Sequence, residues 1–348
     1  MIVIGDKVIS KNSEPFIIAE VGINHNGILE NAFEMIRVAK SAGADCVKFQ
    51  TFKASEFILD RTQNYSYISQ GETVTESMFD MFQRCEFSEE EWKLIKCKCE
   101  VEGIEFMSTP QNKTDLDILL KLGIDAIKVG SDDFSNIPLL RDYSKTKLPL
   151  IVSMGMSDLS DVYKALSEIG SLDGYPTVLM LCTSTYPTPI TDINLNKLKT
   201  LSNAFPEIIL GFSDHSQGFL ASSLAVSLGA KVFEKHFTLN KELPGPDHWF
   251  SEDPFSLKEW CESIRQSYQM LGSSIIRPTL EEVSMRVLAR RSIVSVAEID
   301  ENQEFTEDNL GLMRPGNGIP PAMLSEFIGR KSRTKINKGK LIGWEDLL

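Results

Sequence analysis

Two stretches, Ile208-Ile209-Leu210-Gly211-Phe212-Ser213-Asp214-His215 and Ala230-Lys231-Val232-Phe233-Glu234-Lys235-His236, each run from a short apolar segment into a histidine. Between them lie residues 219–228, apolar at helical spacing, and the breaker Gly229. That order is the signature of neighbouring parallel strands joined by a crossover helix. Both imidazoles then stand at the same end of one sheet, where a divalent metal could bridge them.

Working outward, the same alternation extends from residue 16 to about residue 270. Strands are expected at 16–21, 46–49, 104–107, 126–129, 148–153, 177–181, 208–212 and 231–237. Eight is the number that closes a (β/α)8 TIM barrel. Helices are expected at 29–42, 89–102, 113–122, 158–169, 219–228 and 255–271. Ser88 and Ser157 supply N-cap oxygens, while Gly43, Gly103, Gly123, Gly170 and Gly229 follow helix ends. Residues 1–272 are therefore read as a barrel domain, 273–289 as a linker and 290–348 as a small β-rich domain. In that last part Ile299-Asp300-Glu301-Asn302 to Leu310 echoes Ile336-Asn337-Lys338-Gly339 to Leu347 in spacing; two hairpins alike by chance is the plain alternative.

With 348 residues and 42% hydrophobic content the chain can bury a large core. Its net charge of -13 argues against nonspecific attraction to nucleic acid or anionic lipid, so neither is expected as a partner. A small anionic substrate would need a local cluster of Lys or Arg. The N-terminus lacks the apolar stretch of a signal peptide and no later segment is apolar enough to span a bilayer, which predicts a cytoplasmic protein. Six cysteines form no C-x-x-C pair and are read as structural thiols, Cys182 included.

In a barrel the active site is built at the carboxyl ends of the strands. Each predicted end carries polar residues: Glu20; Lys48 and Gln50; Ser108-Thr109; Lys128 with Ser131-Asp132-Asp133; Ser153; Cys182-Thr183-Ser184-Thr185-Tyr186; Ser213-Asp214-His215; and Glu234-Lys235-His236. One polar tip is ordinarily a capping residue, whereas eight together describe a site. Lys48 and Lys128 interrupt apolar strands, where an ammonium is costly unless it meets an anion. A structural ion pair with Glu20, Glu234 or Asp133 is one reading. The other is a phosphate or carboxylate site, with hydroxyls at Thr109, Ser131 and Ser213. Imidazole ligands favour Mn, Fe, Co or Zn over Mg, with Glu20 and Asp247 as carboxylates that could join His215 and His236 directly or through water. His25 and His248 are read either as loop-holding residues or as substrate contacts.

These residues also carry a family resemblance. Glu20-Val21-Gly22-Ile23-Asn24-His25-Asn26-Gly27, Val47-Lys48-Phe49-Gln50-Thr51, Ser108-Thr109-Pro110, Lys128-Val129-Gly130-Ser131, Tyr186-Pro187-Thr188-Pro189, Gly211-Phe212-Ser213-Asp214-His215, Glu234-Lys235-His236-Phe237-Thr238, Pro244-Gly245-Pro246-Asp247 and Arg314-Pro315-Gly316-Asn317-Gly318 occur in order along nearly the whole chain. The set resembles the sialic acid (N-acetylneuraminate) synthase family of nonulosonic acid synthases. The resemblance implies a (β/α)8 barrel followed by an antifreeze-like (SAF) domain, and condensation of phosphoenolpyruvate with an N-acylated mannosamine-type sugar. It implies a divalent metal, Mn2+ first, with Mg2+ or Co2+ as alternatives, and a domain-swapped homodimer in which each SAF domain caps the partner's barrel.

By the same resemblance, Lys48, Thr109, Lys128, Ser131 and Ser213 form the phosphoenolpyruvate cradle, and His215 and His236 hold the metal. Gln50, Asp133, Ser184, Tyr186, Asp247 and Arg314 meet the sugar, with Glu20, Lys48, Lys128, Asp133 and Arg314 as the catalytic set, in which Glu20 positions a water or handles a proton. The family often has Glu where Asp133 stands, and sialic acid synthases have Asn where Ser184 stands. These departures leave three sugars open: N-acetylmannosamine, a 2,4-diacetamido-trideoxyhexose leading to legionaminic acid, and the stereoisomer leading to pseudaminic acid. Octulosonate- or heptulosonate-phosphate synthases would want a second basic cluster, which the sequence lacks. A non-catalytic carbohydrate-binding protein would need neither buried lysines nor a histidine pair.

Overall fold

The computed structural model describes residues 1–348, which divide into two units, Met1–Gly272 and Ser273–Leu348. The first contains eight parallel strands: β1 (Phe16–Gly22), β2 (Cys46–Thr51), β3 (Glu105–Pro110), β4 (Ile127–Val129), β5 (Leu150–Ser153), β6 (Thr177–Cys182), β7 (Ile209–Ser213) and β8 (Val232–His236). Their ladder order is β3-β2-β1-β8-β7-β6-β5-β4, so the first and last strands pair. β3 and β4 lie side by side across the remaining seam. The sheet is a near-closed (β/α)8 barrel, as the strand count predicts.

Alternation along each strand divides the barrel interior into an apolar floor and a polar mouth. Ile18, Cys46, Met107, Ala126, Ile151, Met180 and Val232 are buried together in the floor. Two residues further along the same strands stand Glu20, Lys48, Thr109, Lys128, Ser153, Cys182 and Glu234. On β7 the floor position is Gly211, where a Cβ would lie 2.7 Å from the Val232 carbonyl oxygen and 3.0 Å from Met180. Only glycine lets β7 approach so closely.

The floor is closed from below by a hairpin, Ile2–Ile4 paired antiparallel with Lys7–Ile9, which the sequence reading passed over. Its Ile2, Ile4 and Ile9 are buried against the floor residues. Ile4→Ala should therefore cost about 2–5 kcal/mol in urea unfolding. A loss below about 1 kcal/mol would show that the hairpin is not part of the core.

The helices cover the outside of the barrel. Ser88 caps Glu89–Glu102 with a reciprocal capping box, and Gly43, Gly103, Gly123 and Gly170 end their helices in the left-handed conformation. One cap differs from expectation: Asp158, not Ser157, caps Leu159–Ile169, accepting from the Ser160 and Asp161 amides, while Ser157 Oγ turns back to the Gly155 carbonyl. A second hairpin, Asn64–Ser69 with Glu72–Ser77, follows β2. Its two-residue turn, Gln70-Gly71, has positive φ at both positions, as a type I′ turn requires. No helix is long and apolar enough to cross a membrane.

In the second unit, part of the segment read as linker is a helix, Leu280–Ala289, capped by Thr279 in a box with Glu282. That Thr-x-x-Glu signal was present in the sequence. Ser292–Ser295 pairs antiparallel with Leu310–Met313. Ile299 and Ile336 exchange both backbone hydrogen bonds, at 2.9 and 2.8 Å, and share one core with Leu310 and Leu347. The sequence echo is thus two halves of one core meeting at equivalent residues.

Candidate active site

The polar mouth converges on two buried lysines. Lys48 Nζ lies 2.7 Å from Glu20 Oε2 and 3.7 Å from Glu234 Oε2, and donates to Thr109 Oγ1 at 3.2 Å. Lys128 Nζ lies 3.6 Å from Glu234 Oε1 and donates to Ser153 Oγ at 2.8 Å and the Val129 carbonyl at 3.0 Å. Register explains the meeting: Glu20 pairs with Lys48 across β1–β2, His236 with Glu20 across β8–β1, and Ser213 with Glu234 across β7–β8. Both lysines and Glu20 are at most 3% exposed. So the ion-pair and anion-site readings coincide: Glu20 and Glu234 compensate the lysines within the very cavity an anion would enter. Asp133 takes no part.

Electrostatics separates the two carboxyls. Burial raises Glu20 to about 7, with Lys48 opposing and Glu234 adding to the rise. Glu234 is buried just as deeply, yet Lys128 and Lys48 on either side hold it low, at about 2. Glu20 therefore sits in the range where a carboxyl can both hold and release a proton at neutral pH. Burial depresses Lys128 and Lys48 repels it, while Glu234 supports its charge.

His215 and His236 face the same cavity, their ring centroids 5.8 Å apart. His215 Nδ1 donates to the Thr183 carbonyl at 2.8 Å, which directs its Nε2 lone pair toward Ser213 Oγ at 3.3 Å. His236 Nδ1 is buried with no protein partner. A backbone carbonyl orienting one imidazole and an orphaned nitrogen on the other suit a pair of metal ligands. No group of three or more His, Cys, Asp or Glu side chains is arranged to hold an ion. Of the expected carboxylates, Glu20 is held on Lys48, and Asp247 lines an outer cavity together with His236. The donor set fits a metal with two imidazoles whose other positions are filled by water or substrate.

These groups line an inner cavity of about 300 Å³, together with Gln50, Ser131, Ser184, Tyr186 and Ser213. Ser184 Oγ is buried and unpartnered. A Cβ at Gly155 would lie 2.3 Å from Ser184 Oγ and 2.6 Å from Ser131 Oγ, so the glycine makes room for both hydroxyls. An outer cavity of about 610 Å³ shares Gln50, Tyr186 and His236 with the inner one and adds Asp247, whose carboxyl burial raises to about 6. Tyr186 lies over His215 with ring centroids 4.2 Å apart and so stands between the two spaces.

Asp133 and Cys182 depart from expectation, while Arg314, His25 and His248 take places that the sequence reading allowed. Asp133 lines neither cavity and accepts from Asn136 Nδ2 at 2.9 Å; its neighbour Asp132 lines the inner one. Cys182, read as packing, also lines the inner cavity, its Sγ 3.5 Å from Ser131 Oγ and 3.7 Å from His215 Nδ1. Arg314 belongs to the second unit, where its Nε donates to the Ala289 carbonyl at 2.9 Å. His25 holds its turn, accepting from the Gly27 amide at 3.0 Å, and His248 bonds Thr238 Oγ1 at 2.7 Å; neither lines the inner or the outer cavity. Glu234, which bridges the lysines, was read only as a counter-ion. Its place inside an apolar strand was the signal.

Comparison with known proteins fits this arrangement. The NeuB family model matches residues 35–276 and the SAF domain model matches residues 290–348. The chain therefore belongs to the NeuB family, with a C-terminal SAF domain. The N,N'-diacetyllegionaminic acid synthase of Legionella pneumophila is 39% identical over 337 residues, covering 95% of this chain and 94% of that protein. The N-acetylneuraminate-9-phosphate synthase of Homo sapiens is 34% identical, covering 91% and 88%. The crystal structure of an N-acetylneuraminic acid (sialic acid) synthetase from Leptospira borgpetersenii serovar Hardjo-bovis matches with a TM-score of 0.73 at 31% identity, covering 82% of this chain and 95% of that one.

Proposed function

We propose that this protein is a nonulosonic acid synthase that condenses phosphoenolpyruvate with an open-chain N-acylated mannosamine-type sugar, N-acetylmannosamine or 2,4-diacetamido-2,4,6-trideoxymannose, and releases phosphate. The observation that carries the proposal is the junction of two spaces at Gln50, Tyr186 and His236. A small inner cavity holds Lys48 and Lys128, while the larger outer one contains no Lys or Arg. A compact multivalent anion fits the first and an uncharged sugar the second. Within one chain, that second space offers a sugar phosphate no Lys or Arg.

Within the inner cavity Lys48 and Lys128 hold the carboxylate and phosphate, assisted by the hydroxyls of Thr109, Ser131 and Ser213. Their fixed charges need little reorganisation as negative charge moves during reaction. His215 and His236 would hold a divalent metal, Mn2+ by preference, which when bound would supply Lewis acidity toward the sugar aldehyde. C3 of phosphoenolpyruvate forms the new bond to the aldehyde carbon, whose oxygen takes a proton. Water then adds its oxygen at C2, and the C2–O bond breaks to release phosphate and leave the 2-keto acid. Glu20, beside Lys48 and Gln50, can take a proton from that water or return one at its Oε1. Gln50, Tyr186 and Asp247 orient the sugar across the junction of the cavities.

The test is phosphate release from phosphoenolpyruvate with Mn2+ and a panel of amino sugars, the product acid identified by mass. Turnover with an N-acylated mannosamine is expected. No release with any sugar would sink the synthase reading in favour of carbohydrate binding.

We also propose that the working unit is a homodimer in which Arg314 of one copy reaches the sugar in the barrel of the other. Arg314→Ala and Lys128→Ala proteins should each be inactive alone. Random subunit exchange should then restore about a quarter of parental activity, since half the dimers carry one intact composite site. No recovery after demonstrated exchange would rule out the shared site.

A further inference from the structure

The hairpin Asn64–Ser69/Glu72–Ser77 is not a barrel element, and a lone two-stranded hairpin is marginal in water. Here it is tied down at both ends. At the tip, Ser69 Oγ accepts from the Gly245 amide at 3.1 Å and Gln70 Nε2 donates to the Glu242 carbonyl at 2.9 Å. At the base, Glu76 takes both Arg84 and the Tyr67 hydroxyl. This holds its first strand over the outer cavity, where Tyr65, Tyr67 and Ile68 face Met78, Met81 and Trp249. Tyr65 and Ile68 are each 41% exposed. Large apolar side chains left open over a cavity are satisfied by an apolar surface that enters it.

We propose that this hairpin is the specificity element of the enzyme, and that Tyr65, Tyr67 and Ile68 recognise apolar substituents on the sugar away from its aldehyde. The inference rests on the synthase reading and narrows it. The wall that the hairpin completes has no cation for a phosphate and is mainly aromatic and aliphatic, a poor match for the hydroxyl-rich tail of N-acetylmannosamine. It suits a deoxy sugar carrying a second N-acyl group, whose two additional methyls, on the acyl group and on C6, would lie against Tyr65 and Ile68. The polar edge remains at Asp247 and Gln50, nearer the reacting carbon.

The test compares kcat/KM for 2,4-diacetamido-2,4,6-trideoxymannose and N-acetylmannosamine in the parent and in Tyr65→Ala, Ile68→Asp and the conservative Ile68→Leu. The parent should prefer the diacetamido sugar by about 10-fold or more, the scale on which pockets discriminate single apolar groups. Tyr65→Ala and Ile68→Asp should lose most of that preference through KM for the sugar, with KM for phosphoenolpyruvate unmoved, and Ile68→Leu should keep it. A parent that favours N-acetylmannosamine, or variants that lose both sugars equally, would overturn the hairpin's role while leaving the synthase reading intact. No phosphate release with any sugar would instead overturn the synthase reading, and this inference with it.

Discussion

Lys48→Met should lower kcat/KM for phosphoenolpyruvate by on the order of 10²–10³-fold, the usual consequence of deleting one preorganised group that stabilises developing charge. It should also destabilise the fold, because Lys48 lies between Glu20 at 2.7 Å and Glu234 at 3.7 Å and its removal leaves two buried carboxyls facing one another. Breaking a buried pair from one side costs about 3–5 kcal/mol, reduced here by whatever protonation of Glu20 relieves. Lys128→Met offers the control. Lys128 has Ser153 and a carbonyl as its nearer partners, and its loss leaves Glu234 still facing Lys48. The two variants should thus share the loss of activity and differ in stability, with Lys48→Met the weaker fold in urea titration. If Lys48→Met retained catalysis within about 10-fold of the parent, the lysine would be a structural counter-ion only.

His236→Ala and His215→Ala should each abolish metal-dependent phosphate release while leaving the circular dichroism spectrum unchanged. Each histidine is one of only two imidazoles facing the inner cavity, and no cluster of three ligating side chains could take over. Mn2+ affinity measured by calorimetry, without substrate, should fall by about 100-fold or more, beyond the 10–100-fold typical of losing an outer-shell partner. The two variants need not be equal in stability. His215 is bonded to Thr183 and Ser213, so its removal strips two hydrogen bonds from the loop after β7, whereas His236 Nδ1 has no partner to lose. Mn2+ binding undiminished in either variant would refute the metal assignment.

Much of this site could be read from local pattern. Glu20 and Ser213 are legible as polar ends of apolar strands, and Lys128 as a charge inside one. The histidines followed from where the strands end. What local pattern could not reveal was convergence. Glu234 is two residues from His236 and looks, in sequence, like any counter-ion; only closure of β8 onto β1 carries it between Lys48 and Lys128. Asp132 and Asp133 are adjacent and chemically alike, and the turn before the helix Ile137–Lys145 decides which faces the cavity. The hairpin carried a legible signal in Gln70-Gly71 between segments that mix polar with aromatic or β-branched residues, but nothing nearby says that it lies over a cavity whose far wall comes from residues 246–250.

The amino-acid sequence by itself determined the number of barrel strands, the polar tip on each and the presence of a second domain, because each depends on spacing within about a dozen residues. Tertiary structure alone decided which tips share a cavity, which carboxyl stays ionised between two lysines and which is raised toward neutrality, and which apolar side chains are left facing an open space. Those outcomes depend on the register of eight strands around a near-closed sheet and on the water excluded by closing it, neither of which any single segment encodes.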